Sequence, residues 1–138
     1  MFRDLIGQPF EYGKMDCWIL ARKTFEKFGV IIPEHNVAYS AIEKACFDSK
    51  VAAKEIWKRR TDWERIDEPE APCIVALSFE TPDYFDHIGV YIGGDKFIHA
   101  TRRIGAVVIE TLSHPLYVNR QKRFYRYVSD ADRNKRPV

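Results

Sequence analysis

The chain has 138 residues, the size of one domain, and its 46% hydrophobic and 14% aromatic content is enough for one hydrophobic core. A formal net charge of only +2 gives no electrostatic reason to expect binding to nucleic acid or an anionic membrane. The N-terminus lacks the apolar core of a secretory signal, and no apolar run approaches the ~20 residues of a membrane span. We therefore expect a protein synthesised in the cytoplasm without a signal peptide.

The cysteines are three in number and irregularly spaced, at positions 17, 46 and 73. This pattern predicts neither a disulfide framework nor a zinc site, and it fits a reducing compartment best. Cys46 falls where a second helix should pack and Cys73 opens an apolar strand, so we interpret both as structural. Cys17 stands in a different context.

The first predicted element is a helix over about residues 16–28, with Asp16 as its N-cap and Gly29 following its last turn. This capping places Cys17 in the first turn, where the helix dipole and the backbone N–H groups favour a thiolate. The neighbouring Asp16 carboxylate opposes that effect. A reactive Cys17 would therefore need a histidine partner, and a structural cysteine is the alternative interpretation.

The remaining elements divide the chain into a helical first half and a strand-rich second half. Helical patterns cover 38–45 and 50–60, and a loop over 67–72 separates the two halves. Strands are expected over 73–79, 105–110 and 123–128, with a hairpin over 86–101. This order predicts an α+β fold, in which N-terminal helices pack on an antiparallel sheet.

The hairpin carries the clearest local signal. Apolar and polar residues alternate along its first arm, and Gly93-Gly94-Asp95 has the composition of a three-residue loop. With such a loop, Ile92 would face Lys96. That register decides which side chains of the two arms share a face of the sheet.

The register brings two histidines together. His99 would lie opposite Gly89, on the face that carries His87, so the two histidines become diagonal neighbours with Cα atoms roughly 7–8 Å apart. Because Gly89 has no side chain, the His99 ring has room to lean toward His87. A two-residue loop would put the rings on opposite faces.

Two imidazoles within reach of each other suggest a base and the residue that orients it, and this pair needs a nucleophile from elsewhere, for which Cys17 is the candidate. A metal site at His87 and His99 is the alternative. The pattern places no third ligand nearby except Asp86, which should point to the opposite face. We therefore expect no metal.

Three sequence segments, Asp16-Cys17-Trp18, Asp86 to Gly93, and Lys96 to Ala100, together resemble the NlpC-type, papain-like cysteine peptidases that cut peptidoglycan stem peptides. The resemblance runs from about residue 7 to 128. It implies a single papain-like domain over 1–128, with the cysteine at the N-terminus of a helix, and no cofactor. Residues 129–138 are expected to form a charged, flexible tail.

The resemblance implies that Cys17 is the nucleophile, His87 the general base and His99 the polar residue that orients it. The backbone N–H of Cys17 would donate to the oxyanion. Many family members have a tyrosine where this chain has Phe10, so Tyr12 or a backbone N–H would have to replace that hydroxyl.

Segments 9–17 and 107–113 resemble the branch of the family encoded in tailed phages as tail-assembly or tail-tip proteins. The expected function is a virion-tail endopeptidase that opens the cell wall as the genome enters the cell. Its partners would be peptidoglycan stem peptides and other tail-tip proteins. The alternative is a structural tail component with the same fold and little or no activity.

Overall fold

The structure, a computed structural model, describes residues 1–11, 14–32, 63–78, 87–101 and 103–128. The helical stretches expected at 38–45 and 50–60, and the tail expected over 129–138, lie outside these residues. Within them, no helix is long and apolar enough to cross a bilayer. The described part contains one α-helix and six strands, which confirms the α+β prediction.

The strands form one antiparallel sheet in the order β1-β6-β2-β3-β4-β5. The elements are α1 (Cys17–Lys27), β1 (Trp63–Ile66), β2 (Cys73–Leu77), β3 (His87–Gly93), β4 (Lys96–Ala100), β5 (Val107–Thr111) and β6 (Lys122–Tyr127). Strands β3 and β4 therefore lie inside the sheet, while β1 and β5 lie at its two opposite edges.

Helix α1 begins and ends where its capping residues predict. The Asp16 carboxylate accepts hydrogen bonds from the backbone N–H groups of Trp18 and Ile19, at 3.1 and 2.9 Å. Beyond the C-terminus, Gly29 takes a φ of +79°, a conformation that favours glycine. The predicted helix over 16–28 is thus confirmed to within a residue at each end.

The sheet buries apolar side chains on both faces. On one face, which we call the helix face, α1 packs through Leu20, Ala21 and Phe25 in the same cluster as Val90 and Ile98. On the opposite face, which we call the far face, a second cluster contains Val75, Leu77, Phe97, Leu112 and Tyr117. Alternate residues of a strand therefore enter different cores.

The turn of the β3–β4 hairpin differs from the expected one. Gly93, not Ile92, pairs with Lys96, so only Gly94 and Asp95 form the turn. Both have positive φ, at 59° and 65°, as the two central residues of a type I′ turn require.

A shift in register between Tyr91 and Gly93 compensates for the shorter turn. Ile92 is the extra residue of this bulge. Beyond it, Tyr91 pairs with Phe97, which is the register that a three-residue loop would also have given. The faces on which the side chains of both arms lie are therefore the predicted ones, although the turn is not.

Strand β1 has no counterpart in the sequence-based prediction, which passes from a helical pattern ending at residue 60 to a loop beginning at 67. Trp63 accounts for the strand. Its ring is almost fully buried and makes edge-to-face contacts with Trp18 and Phe25 of the helix and with Tyr127 of β6. These contacts are remote in sequence, so the local pattern does not reveal them.

Candidate active site

Two histidine side chains meet in the interior at the β3–β4 hairpin. Nε2 of His87 lies 2.8 Å from Nδ1 of His99, and the exposed fractions of the two residues are 2% and 0%. Both rings are on the face predicted from the alternation along the arms. The position of Gly89 explains the close approach, because a Cβ atom there would stand 3.0 Å from the Cβ atom of His99.

The second nitrogen of His99 meets a carboxylate that the sequence interpretation did not single out. Nε2 of His99 lies 2.9 Å from Oε1 of Glu110 on β5. The hydroxyl of Tyr117 donates to the same oxygen at 2.8 Å. Four side chains, His87, His99, Glu110 and Tyr117, thus form a continuous hydrogen-bonded chain on the far face of the sheet.

Aromatic rings enclose His99. The ring of Phe97 lies with its centroid 4.3 Å from that of His99, and Tyr117 meets the imidazole edge to face at 5.7 Å. Such close packing in a fully buried position restricts the movement of the imidazole. His99 is therefore held both by hydrogen bonds and by shape.

Burial keeps both imidazoles neutral. Desolvation lowers the pKa of His87 well below its ordinary value, and the nearby His99 lowers it further. Desolvation also lowers the pKa of His99, although the hydrogen bond and charge of Glu110 oppose this effect. A neutral imidazole can accept a proton, so His87 is in the state that a general base needs.

Cys17 is the first residue of α1 and is 4% exposed. Its sulfur is part of a disulfide bond. The odd number and irregular spacing of the cysteines predict no disulfide framework and a reducing compartment, so the disulfide at Cys17 departs from the sequence-based expectation. Spacing along the chain cannot show which cysteines the fold brings together.

Cys73 differs from Cys17 in its chemical state. Cys73 is a free, buried thiol at the first position of β2, and desolvation raises its pKa to about 11. It therefore stays protonated and unreactive at neutral pH. Cys46 lies outside the described residues.

Helix α1 packs against β3 and β4, the two strands that carry the histidines. It does so on the helix face, whereas the two imidazoles project from the far face. His87 is the first residue of β3 and so stands at the margin of the sheet, while His99 lies further inside, between β3 and β5.

Phe10 and Tyr12 were the two aromatic residues considered for the oxyanion site, and the structure describes only Phe10 of the two. Phe10 packs its half-buried ring against the helix-face core, and its backbone N–H donates to the carbonyl of Gly105 at 2.9 Å. Its ring has no hydroxyl to offer to an oxyanion. Tyr12 lies outside the described residues.

Glu110 and Tyr117 are the site residues that sequence reasoning missed. The sequence contained a partial signal for Glu110. Val108 and Glu110 are two positions apart in the strand that follows the hairpin, so their side chains lie on the same face of that strand. Whether Glu110 shares a face with His99 depends on the register between β4 and β5, in which His99 pairs with Val108. The length of the connection between β4 and β5 does not by itself determine that register.

A cysteine that opens a helix packed on an antiparallel hairpin, with two buried histidines in contact on that hairpin, places the chain in the class of α+β proteins with a cysteine and histidine site. The sequence profile of the NlpC/P60 family matches residues 7–126. The chain belongs to the NlpC/P60 family, whose members are cysteine peptidases and amidases acting on peptidoglycan. A search of the curated proteins found no match.

Proposed function

We propose that this protein is a papain-like cysteine endopeptidase that hydrolyses peptide bonds in peptidoglycan stem peptides. Cys17 is the nucleophile, His87 the general base, and His99 the residue that orients His87. The observation that carries the proposal is the direct, buried contact between His87 and His99, on a hairpin against which the helix opened by Cys17 packs.

The roles of the two histidines follow from their positions. Because α1 covers the helix face and the imidazoles project from the far face, the start of the helix can meet an imidazole only at the margin of the sheet. His87 stands at that margin. His99 is fully buried and touches His87 through Nδ1, so it supports the base and does not contact substrate.

The reaction begins once Cys17 is reduced to a thiol. His87 takes the thiol proton, and the sulfur attacks the carbonyl carbon of a peptide bond. The carbon–nitrogen bond then breaks while His87 gives its proton to the leaving amine. Water next attacks the thioester, which releases the acid and restores the thiol. The backbone N–H of Cys17, at the start of the helix, is the oxyanion donor in this proposal.

The proposed biological setting is the tail of a phage or prophage particle, where the enzyme would open the cell wall locally as the genome enters the cell. The support is the resemblance of segments 9–17 and 107–113 to the tail-associated branch of the family. In this setting its partners are other tail-tip proteins. Detection of the chain in purified phage particles by mass spectrometry would test it.

A structural tail component with the same fold and little activity is the second candidate. One observation favours it in both redox states: the side chain of Phe10 has no hydroxyl, so an oxyanion would lack the donor that many family members have there. The disulfide at Cys17 accounts for inactivity only before reduction. This candidate predicts a protein that stays inactive even after reduction.

The deciding experiment is incubation of the protein with purified muropeptides, with and without a reducing agent, followed by mass spectrometry. The enzyme is expected to release a stem-peptide fragment only in the reduced state, and the fragment mass identifies the bond. The Cys17→Ala variant is the control for contaminating hydrolases. Intact muropeptides with the reduced, folded protein would favour the structural candidate.

A further inference from the structure

We propose that Glu110 is a positioning residue that fixes the protonation pattern of both histidines, so that Nδ1 of His87 is the atom that accepts the thiol proton. This inference rests on the proposed function for its catalytic meaning. Its structural content, which concerns where the protons lie, can be tested without any substrate.

The pattern follows from counting donors along the chain of hydrogen bonds. A carboxylate oxygen accepts and does not donate, so the hydrogen bond between Nε2 of His99 and Oε1 of Glu110 requires the proton on Nε2 of His99. A neutral imidazole carries only one proton. Nδ1 of His99 is therefore the acceptor in its contact with His87.

The same argument continues into the second imidazole. Because Nδ1 of His99 accepts, Nε2 of His87 must donate across the 2.8 Å contact. Neutral His87 then has its only lone pair on Nδ1. A carboxylate on β5 thus determines which nitrogen acts as the base two side chains away, on β3.

Tyr117 reinforces the acceptor role of Glu110. Its hydroxyl donates to the same Oε1 atom that accepts from His99, so two donors converge on one oxygen. Burial and the neighbouring carboxylate raise the pKa of Tyr117, which keeps the hydroxyl protonated throughout the physiological range. The arrangement therefore holds Glu110 in place without competing for the proton of His99.

The carboxylate also has an electrostatic effect. During the reaction His87 becomes an imidazolium, and its burial opposes that charge. The negative charge of Glu110 acts on His87 through the ring of His99 and favours the imidazolium. Glu110 therefore contributes in two ways, through the proton pattern and through charge, and two substitutions separate them.

Glu110→Gln keeps an oxygen that can accept from both donors but removes the charge. Glu110→Ala removes both the accepting oxygen and the charge. A matched control is Glu64→Ala, because Glu64 is also a strand glutamate with an ionic partner, Arg126 at 2.8 Å, but lies on β1 at the opposite edge of the sheet. Tyr117→Phe removes the second donor and leaves the carboxylate.

The first measurement is long-range proton–nitrogen NMR on reduced protein labelled at histidine nitrogens, which reports the ring nitrogen that carries each proton. Wild type is expected to show Nε2–H on His87 and on His99, and Glu110→Gln should keep both. Glu110→Ala should show a mixture of tautomers, while Glu64→Ala should not. Unchanged tautomers in a folded Glu110→Ala protein would overturn the proposal. If Glu110→Ala fails to fold, a tautomer other than Nε2–H on either wild-type imidazole overturns it.

The second measurement is kcat/KM against pH with muropeptide substrate. Loss of the outer-shell partner of a metal-ligating histidine typically costs 10–100-fold, and we expect a loss of the same order for Glu110→Ala, mainly in kcat. Glu110→Gln should lose less activity and should lower the pKa assigned to His87. Tyr117→Phe should lose only a few-fold. An unshifted pH profile in Glu110→Gln would refute the electrostatic part.

The two measurements separate failure of this inference from failure of the proposed function. If the wild type cleaves no muropeptide and yet the tautomers change only in Glu110→Ala, Glu110 positions the imidazoles and the proposed substrate is wrong. If the wild type is active and Glu110→Ala retains both its tautomers and its activity, the proposed function stands and the role of Glu110 is refuted.

Discussion

Replacement of Gly89 by alanine tests the close approach of the two strands that carries the histidine pair. A Cβ atom at position 89 would lie 3.0 Å from each of three atoms: the Cβ atom of His99, the carbonyl oxygen of Ile98 and a ring carbon of Phe97. These atoms belong to the paired strand or to a buried ring, so none can move away cheaply. Strand β4 or the imidazole of His99 must shift by a few tenths of an ångström.

The expected cost follows from that geometry. Overpacking of this kind typically lowers the free energy of unfolding by about 1–3 kcal/mol. A misplacement of about 1 Å can cost about 100-fold in rate, so a shift of a few tenths of an ångström should reduce kcat/KM by roughly 4- to 10-fold. Denaturant unfolding measures the first quantity and muropeptide hydrolysis the second.

Gly94→Ala is the control that separates stability from alignment. Nothing lies within 4 Å of a Cβ atom at position 94, but its φ of +59° should cost about 1–2 kcal/mol with alanine. Both variants should thus lose stability, while only Gly89→Ala should lose activity. A Gly89→Ala protein as stable and as active as wild type would refute the argument that this glycine makes room for the imidazole pair.

Three further predictions concern the titrating groups of the site. Activity should fall in the order wild type, His99→Asn, His99→Ala, His87→Ala. An amide oxygen at position 99 can still accept a hydrogen bond from His87, whereas loss of the general base typically costs ~10²–10⁴-fold. A fully active His99→Ala protein would contradict the assignment of His99 as the residue that orients the base. After reduction, Cys17 should react with iodoacetamide at pH 6.5 much faster than Cys73, because burial raises the pKa of Cys73 to about 11. Peptide mapping of the two sites checks this. Without reduction, Cys17 should stay unlabelled. Burial lowers the pKa of both histidines in the folded state, so as the pH falls the unfolded chain takes up protons at a higher pH than the folded protein does. The free energy of unfolding should therefore fall as the pH drops below about 6.5. The decrease should be up to ~1.4 kcal/mol per pH unit for each proton. His99→Asn should flatten that dependence.

The parts of the fold that sequence predicts correctly are those with local causes. The cap at Asp16 and the glycine at 29 delimit a helix without help from the rest of the chain. Alternation along β3 and the composition of its turn likewise define a hairpin. The contact between His87 and His99 agrees with the prediction because the bulge at Ile92 offsets the shorter turn, and the sequence pattern did not reveal that bulge.

The parts that sequence does not predict depend on contacts remote in the chain. Strand β1 exists because Trp63 packs against the helix and β6, and nothing nearby signals this. The role of Glu110 depends on the register between β4 and β5. The disulfide at Cys17 depends on tertiary proximity. In each case a correct prediction would need the tertiary contacts first.

The bulge at Ile92 makes the length of the hairpin adjustable at one end only. Deleting Ile92 would leave Gly93 next to Tyr91, with the same two-residue turn and the same pairing of Tyr91 with Phe97. Deleting a residue between His87 and Tyr91 would instead reverse the face of His87 and separate it from His99. Deletion of Ile92 should therefore be tolerated, whereas a single deletion between His87 and Tyr91 should abolish activity, and muropeptide hydrolysis by the two kinds of variant checks this.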